Sequence, residues 1–539
     1  MVMAGAMRCP ASACRIEARL RNATAIASEN VADIDLARPA HGIQENAYRL
    51  QPGWHGLIGC QIAQGSEPVQ YPAITHHGAH QGVTGSCHQL HVSEGHSLLI
   101  DCGLFQGADA RGQAGPAIDF PIQGIAALVV THVHLDHIGR IPWLLAAGFE
   151  GPILCSEPSA RLLPLMLEDA FRLMLSRDAA TLERYLGLVN RRIIALPYDR
   201  WFPLEREGRP ACHLRLQRAG HVLGSAYVEV DIPQPKGARS KRVVFSGDLG
   251  SGRSALLRAP AAPERADVLV LESTYGDRLH GGEQCRVSQL ERLIEKALQD
   301  QGTLLIPSFS LGRTQELLAD IETLLRRKAV NTTAAGAEPI NWPQLPVILD
   351  SPLASRITQT YRELQPYWND EAQARADGGQ SPLAFPQLIT LDSHEQHQRT
   401  VNYLASTLRP AIVIAGNGMC SAGRIVNYLK AMLRHPRHNV LFCGYQAKGT
   451  PGALIQAAEG AEGFVGIDLD GERYDVRAGV ATLEGYSAHA DQAGLLAFVE
   501  QMQEAPGEVR LVHGEAAAKG ALAKALTAAH PQMAVLATL

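Results

Sequence analysis

The chain has 539 residues, too many for one ordinary hydrophobic core, and 46% of them are apolar, so two or more globular domains are expected. With 49 basic against 54 acidic residues the net charge is −5, which excludes the broadly basic surface of a nonspecific nucleic-acid binder and requires any polyanion to be captured locally. The ten cysteines form no CxxC pair, so reduced thiols and a cytoplasmic location are expected, and no apolar run reaches the roughly 18 residues of a membrane span.

Residues 1–73 carry no sustained helical or strand period and read as a poorly ordered N-terminal extension. From Ile74 the character changes. Short apolar, β-branched runs recur, each ending in polar residues or glycine: SLLIDCG (97–103), ALVVTH (127–132), RVVFSGD (242–248), DVLVLES (267–273) and TLLIPSFS (303–310). PVILDSP (346–352), AIVIAGNG (411–418), NVLFCGYQ (439–446) and VRLVHGE (509–515) continue the series. These runs predict buried strands. Helical stretches lie between them. Residues 159–193 carry Leu and Met at three- and four-residue spacing, a stripe for core packing. RTQELLADIETLLRRK (313–328) is a second such helix, and the Pro- and Gly-punctuated 331–344 reads as a loop. The fold class is α/β, in which chemistry gathers where strands end and loops begin.

At one strand end stands VTHVHLDHIGR (130–140), which places His132, His134, Asp136 and His137 within six residues. Alternate residues of a strand share a face, so His132 and His134 point the same way as the chain leaves the sheet, with Asp136 and His137 on the following turn. A single histidine is usually a hydrogen-bonded core or surface group, but this density of imidazole and carboxylate has few uses other than metal binding. His221 in AGHVLGSA, Asp248 in FSGDLG and His513 in LVHGE are further candidate ligands, each after an apolar run or in a turn of small residues. Spacing alone does not join them.

The set HVHLDH, AGHVLGSA and FSGDLG, with LLIDCGLFQG upstream, resembles the metallo-β-lactamase fold. LESTYGDRLH, YSAHAD and LVHGE resemble its β-CASP nucleic-acid-processing branch. The resemblance spans about residue 74 to 539. It implies an αββα sandwich with an inserted α/β β-CASP cap: 74–275 as the first part of the sandwich, 276–465 as the cap and 466–539 as the returning part. It implies two Zn2+ per chain, one on His132, His134 and His221, the other on Asp136, His137 and His513, with Asp248 bridging. Asp101 would orient the ligand turn by hydrogen bonding, although it reads equally well as a strand-terminal cap. Asp136, Glu272 and His489 form the implied catalytic set. His489 would protonate the departing ribose oxygen, and Glu272 would hold its imidazolium charged. Two such ions roughly 3.5–4 Å apart hold a bridging water, lower its pKa and clamp a phosphoryl oxygen.

The implied activity is hydrolysis of single-stranded RNA in a groove between the two domains, which admits an extended strand and excludes a stiff duplex. Candidate substrate contacts are Arg278 and His280 of YGDRLH, Ser308 and Arg313 of SFSLGR, Ser421 and Arg424 of AGNGMCSAGR, and Lys448 of GYQAKGTPG. Taken singly, each reads as an ordinary helix start or surface turn. The lysine of GYQAKGTPG precedes its glycine, so the stretch is no Walker loop and no nucleotide cofactor is expected. No membrane partner is expected, and a homodimer stays open. Tyr486 stands where phenylalanine is common in the family, a packing change expected to be tolerated. The additional C-terminal domain that some exonucleolytic relatives use for dimerisation has no counterpart before Leu539, which weighs against a strong 5′-exonuclease. The rivals are a DNA-directed nuclease, a hydrolase of small thioesters, lactones or lactams, and a catalytically dead binding subunit. The small-molecule reading has no use for the cap or for Glu272 and His489, and the presence of all seven implied ligands argues against a dead subunit.

Overall fold

The computed structural model describes residues 71–539 except 112–114, 207, 282, 333–341, 445, 462, 464 and 484. Residues 1–70 of the extension expected over 1–73, and most of the loop expected over 331–344, lie outside the described residues; Ala73 already belongs to the first strand.

The apolar runs form strands where the sequence places them. β1 (Ala73–Gly78), β2 (Cys87–Ser93), β3 (His96–Ile100), β4 (Ile125–Val129), β5 (Ile153–Ser156) and β6 (Ile193–Leu196) make a six-stranded sheet in that order. β1 to β3 are antiparallel, and β3 to β6 run parallel. Parallel neighbours need crossovers. The helices Glu157–Met174 and Ala179–Arg192 supply the one from β5 to β6, and they divide the predicted helical stretch 159–193 in two, Asp178 capping the second by accepting from Thr181 N.

β7 (Trp201–Arg206), β8 (Arg209–Arg218), β9 (Ala226–Ile232), β10 (Lys241–Phe245) and β11 (Val268–Glu272) begin a second sheet. The chain then leaves to build β12 (Thr303–Pro307), β13 (Val347–Asp350), β14 (Leu388–Thr390), β15 (Ala411–Ala415), β16 (Asn439–Phe442), a hairpin of β17 (Val465–Leu469) and β18 (Glu472–Val476), and β19 (Gly479–Thr482). It returns with β20 (Glu508–Val512) and β21 (Ala534–Leu536), which complete the second sheet in the order β21-β20-β11-β10-β9-β8-β7. Leu90, Leu98, Ile100 and Val129 of the first sheet share one buried cluster with Leu214, Val228, Val230 and Phe245 of the second, so the two sheets pack face to face.

The intervening strands form a third sheet, β14-β13-β15-β12-β16-β19, in which every pairing is parallel. Its central strands are buried on both faces, as their unbroken apolar runs require. The inserted module extends further than the 276–465 expected from sequence. β19 pairs with β16 from Asn439↔Gly479 to Phe442↔Thr482, so the chain stays in the cap sheet to Thr482 rather than returning at 466. GVAT is too short and too weakly apolar to announce itself as a strand. The two domains meet along a continuous apolar cluster in which Val222, Leu223 and Leu256 join Leu311, Leu317 and Tyr361. A Cβ on Gly312, at φ +80, would lie 2.7 Å from Val222 Cγ1, so glycine lets the cap loop rest on the segment carrying His221.

Candidate metal centre

β4 ends at Val129, so His132 and His134 stand on the loop beyond the strand rather than on its face. His134 directly precedes the one-turn helix Leu135–Ile138, which carries Asp136 and His137. This turn is pressed against the loop after β3: Cys102 N donates to His137 O at 2.7 Å and Leu104 N to Leu135 O at 2.9 Å. A Cβ on Gly103 would fall 1.6 Å from Asp136 O, so only glycine permits the approach. Asp101 both ends the strand and orients the turn. Its Oδ1 accepts from Thr131 N at 2.8 Å, and its Oδ2 from Thr131 Oγ1 at 2.8 Å and His137 Nδ1 at 2.7 Å. With Nδ1 engaged by Asp101, Nε2 is the atom turned to the centre; burial alone would lower His137, but Asp248 and Asp101 hold it well above the ordinary histidine value, so a cation bound there would displace its Nε2 proton.

Other strand ends bring the remaining groups. His221 lies in the turn after β8, where Ser225 Oγ accepts from its backbone N–H at 3.0 Å. Asp248 follows β10, and His513 follows β20 with φ +52. Thr274 Oγ1 stands 3.0 Å from His513 Nδ1, leaving Nε2 to face the centre. Sequence reasoning does not single out Thr131 and Thr274. A hydroxyl residue adjoining a ligand motif is the signal that finds them.

Asp248 stands in the middle. Its Oδ2 lies 3.4 Å from His132 Nε2 and 3.6 Å from His221 Nε2, and its Oδ1 lies 3.3 Å from His137 Nε2 and 3.6 Å from His513 Nε2. His134 Nδ1 completes the first group, 3.0 Å from His132 Nε2 and 3.1 Å from His221 Nε2. Asp136 Oδ2 completes the second, 3.4 Å from His513 Nε2. Within His132, His134, His221 and Asp248, and within Asp136, His137 and His513, the donor atoms all lie within 4.8 Å of one another.

These donors fit a pair of cations. Imidazole nitrogens face imidazole nitrogens, and Asp248 Oδ1 is buried without a hydrogen-bond donor. Burial holds His132 and His221 well below the ordinary histidine value and His134 down to about 4, which keeps their lone pairs free. Burial alone would raise Asp248, but the imidazoles of His513, His137 and His132 hold its carboxyl well below the usual range. Neutral imidazoles mixed with carboxylates are the donor set of zinc and neighbouring first-row dications.

Glu272, at the end of β11 and 1% exposed, accepts from Leu249 N at 2.7 Å and lies 3.1 Å through each oxygen from His489 Nδ1. Burial alone would lower His489, but the carboxylates of Glu272 and Asp248 raise it to about 9, which favours its protonated form. Its Nε2 lies 3.8 Å from Asp248 Oδ2.

The candidate substrate contacts divide. Arg424 is not a free phosphate ligand: its guanidinium donates to Asp350 Oδ1 at 2.6 Å, Leu391 O at 2.8 Å and Asp392 O at 3.2 Å. Fully buried Asp350 needs that charge. His280 Nε2 donates to His489 O at 3.0 Å, which makes it a fastener of the His489 segment. Ser308 is buried and bonded internally to Thr314 Oγ1 and Phe309 O. Arg278 pairs with Asp277 and lies over the Tyr275 ring. Arg313 differs: no ion pair or side-chain hydrogen bond reaches it among the described residues, its Nε is buried, and its guanidinium lies against the Gly444 backbone. Ser421 and Lys448 are exposed on neighbouring cap loops.

Residues 85–282 match the metallo-beta-lactamase superfamily, 314–455 the Beta-Casp domain, and 473–535 the Zn-dependent metallo-hydrolase RNA specificity domain. A ribonuclease of Thermus thermophilus is 35% identical over 83% of this chain and 94% of its own length. The transcription termination factor FttA of Methanosarcina mazei is 29% identical over 83% of this chain and 67% of its own length, and that of Pyrococcus abyssi 30% over 72% and 57%. Among the described residues no helix is long and apolar enough to cross a membrane. With the sandwich, the inserted parallel module and the convergent histidine and aspartate donors all in place, the chain belongs to the β-CASP RNA-nuclease branch of the metallo-β-lactamase superfamily of metal-dependent hydrolases.

Proposed function

We propose that this chain is a zinc-dependent ribonuclease that hydrolyses phosphodiester bonds of single-stranded RNA in RNA processing or decay. The observation that carries the reading is Asp248, set between two donor groups, with His489 Nε2 3.8 Å away. Two Zn2+ match these donors, and the chemistry they supply when bound is Lewis acidity toward a phosphoryl oxygen and a lowered pKa for a water between them.

The chain's own residues supply the rest. Asp101 and Thr274 fix which nitrogens of His137 and His513 face inward. His489 keeps its Nδ1 proton against Glu272 and presents its Nε2 proton to the departing ribose oxygen, which is a poor leaving group as an alkoxide. Arg313 neutralises a phosphate flanking the scissile bond, and Ser421 and Lys448 extend the same track over the cap. The names borne by the relatives support RNA as the substrate class. A small-molecule hydrolase would leave the Glu272 and His489 pair without a task.

The test is incubation of the purified chain with end-labelled single-stranded RNA, DNA of the same sequence and a thioester, with and without a chelator. Chelator-sensitive RNA scission is expected. DNA cut equally fast would move the substrate class to DNA, and thioester hydrolysis alone would overturn the nuclease reading. His489→Ala should keep its metal while slowing scission by about 10²- to 10⁴-fold. Unchanged turnover would remove its role as acid.

A further inference from the structure

A chain of polar side chains that no step above uses runs from Asp101 toward β1 and β2. Ser86 Oγ donates to Asp101 Oδ2 at 3.3 Å and lies 3.4 Å from His88 Nε2. His88 Nδ1 lies 2.9 Å from His76 Nδ1. Ser86 and His88 are each 4% exposed, so both contacts are removed from bulk solvent.

The direction of every bond in this chain follows from its inner end. A carboxylate only accepts, so Ser86 spends its single proton on Asp101. The hydroxyl oxygen therefore accepts from His88 Nε2–H. His88 Nδ1 is then a lone pair, and the proton between the two rings belongs to His76 Nδ1. Burial supports this one-donor, one-acceptor state, holding His88 well below the ordinary histidine value and His76 down to about 3. His76 Nε2 ends the chain as a buried atom without a partner.

Asp101 needs such support because packing alone does not hold it. A small cavity lined by Ser86, His88, Asp101, Thr131, His137 and Asp248 adjoins its carboxylate. Without His88 the Ser86 hydroxyl is free to turn its proton elsewhere, and Asp101, still bonded to Thr131, loses the contact that steadies Oδ2 against that space.

We propose that Ser86 and His88 are positioning residues for the cation group built on Asp136, His137 and His513, acting through Asp101 on His137. The inference rests on the reading that these donors hold a metal, and it concerns one of the two groups. Outer partners of metal ligands typically contribute 10- to 100-fold in affinity.

The test strips the full chain of metal and titrates it with Zn2+ against a chromophoric chelator, alongside thermal melting of the metal-free proteins. Wild-type chain should take up two equivalents. Ser86→Ala and His88→Leu should weaken one equivalent by about tenfold and leave the other unchanged, although both metal-free proteins should melt somewhat lower because each variant strands a buried donor of the chain. His88→Gln, which places an N–H near the position of Nε2, should recover affinity to within about twofold. Two unchanged equivalents in Ser86→Ala and His88→Leu would overturn the proposal. So would an equal weakening of both equivalents, since a general loosening of the fold would then account for it. Should His88→Leu fail to fold, Ser86→Ala carries the test alone. A wild-type chain that binds no zinc would sink the metal reading itself, a result distinct from equal binding by wild type and variants.

Discussion

A carboxylate that turns one oxygen to His132 and His221 and the other to His137 and His513 leaves both groups short of a donor when it is removed. Asp248→Ala should therefore lose most of its bound metal, and elemental analysis showing a full complement would contradict the bridging arrangement. Two arginines make the same point about context. Arg313 and Arg424 both follow a glycine at a helix start, and both read as phosphate contacts in the sequence. Arg424→Ala should destabilise the cap by about 1–3 kcal/mol in urea unfolding, because it removes the arginine partner of buried Asp350 and leaves His397 and Tyr428 to hold the carboxylate. Arg313→Ala should leave stability unchanged, weaken RNA binding about fivefold to tenfold, and flatten the salt dependence by roughly 0.7 in log–log slope. What separates the two is a carboxylate 74 residues upstream of Arg424, a distance over which sequence pattern carries no information. The candidate ligands stand out in the sequence for the opposite reason. His132, His134, Asp136 and His137 crowd one short turn, while His221, Asp248 and His513 became assignable through the motifs around them.

The helix Arg313–Thr332 also fastens the cap to the sandwich. Glu316 in its first turn accepts from Ala255 N at 2.8 Å and from Ser254 Oγ, both on the loop beyond β10. Burial pushes its carboxyl up to about 7. A carboxyl raised in the folded state stabilises fully below its unfolded value, and that contribution is lost as pH rises through the folded one. Between about pH 4.5 and 7 the chain should lose on the order of 2 kcal/mol on this account, allowing for the incomplete enclosure of the side chain. Glu316→Gln should flatten that slope in denaturant unfolding across the pH range, and an unaltered slope would exclude Glu316 as its source. At this scale the strands were legible because continuous apolar runs of about five residues have few other uses. β19 was not, because its stability comes from the edge of β16 rather than from its own side chains. The limit of the cap was misplaced with it.

Across the whole molecule, the ion pairs Arg161–Glu363, Arg356–Glu168 and Arg258–Asp370 link the sandwich to the cap. They are largely exposed and contribute little. The apolar seam from Val222 and Leu223 to Leu311 and Tyr361 carries more of the attachment. On the proposed reading a bound cation would be a further tie, since the candidate donors come from segments as far apart as His137 and His513, 376 positions distant. Chelation should lower the thermal midpoint by about 5 °C or more, and re-addition of zinc should restore it. An indifferent midpoint would mean that the donors hold their geometry unaided.

The placement of β20 between β11 and β21 has a consequence for biosynthesis. A ribosome that has not yet translated past residue 508 holds a polypeptide lacking both this interior strand and His513, the last donor. On the function proposed above, an unfinished product would lack part of its metal centre, and the messenger being read would be spared by the nuclease it encodes.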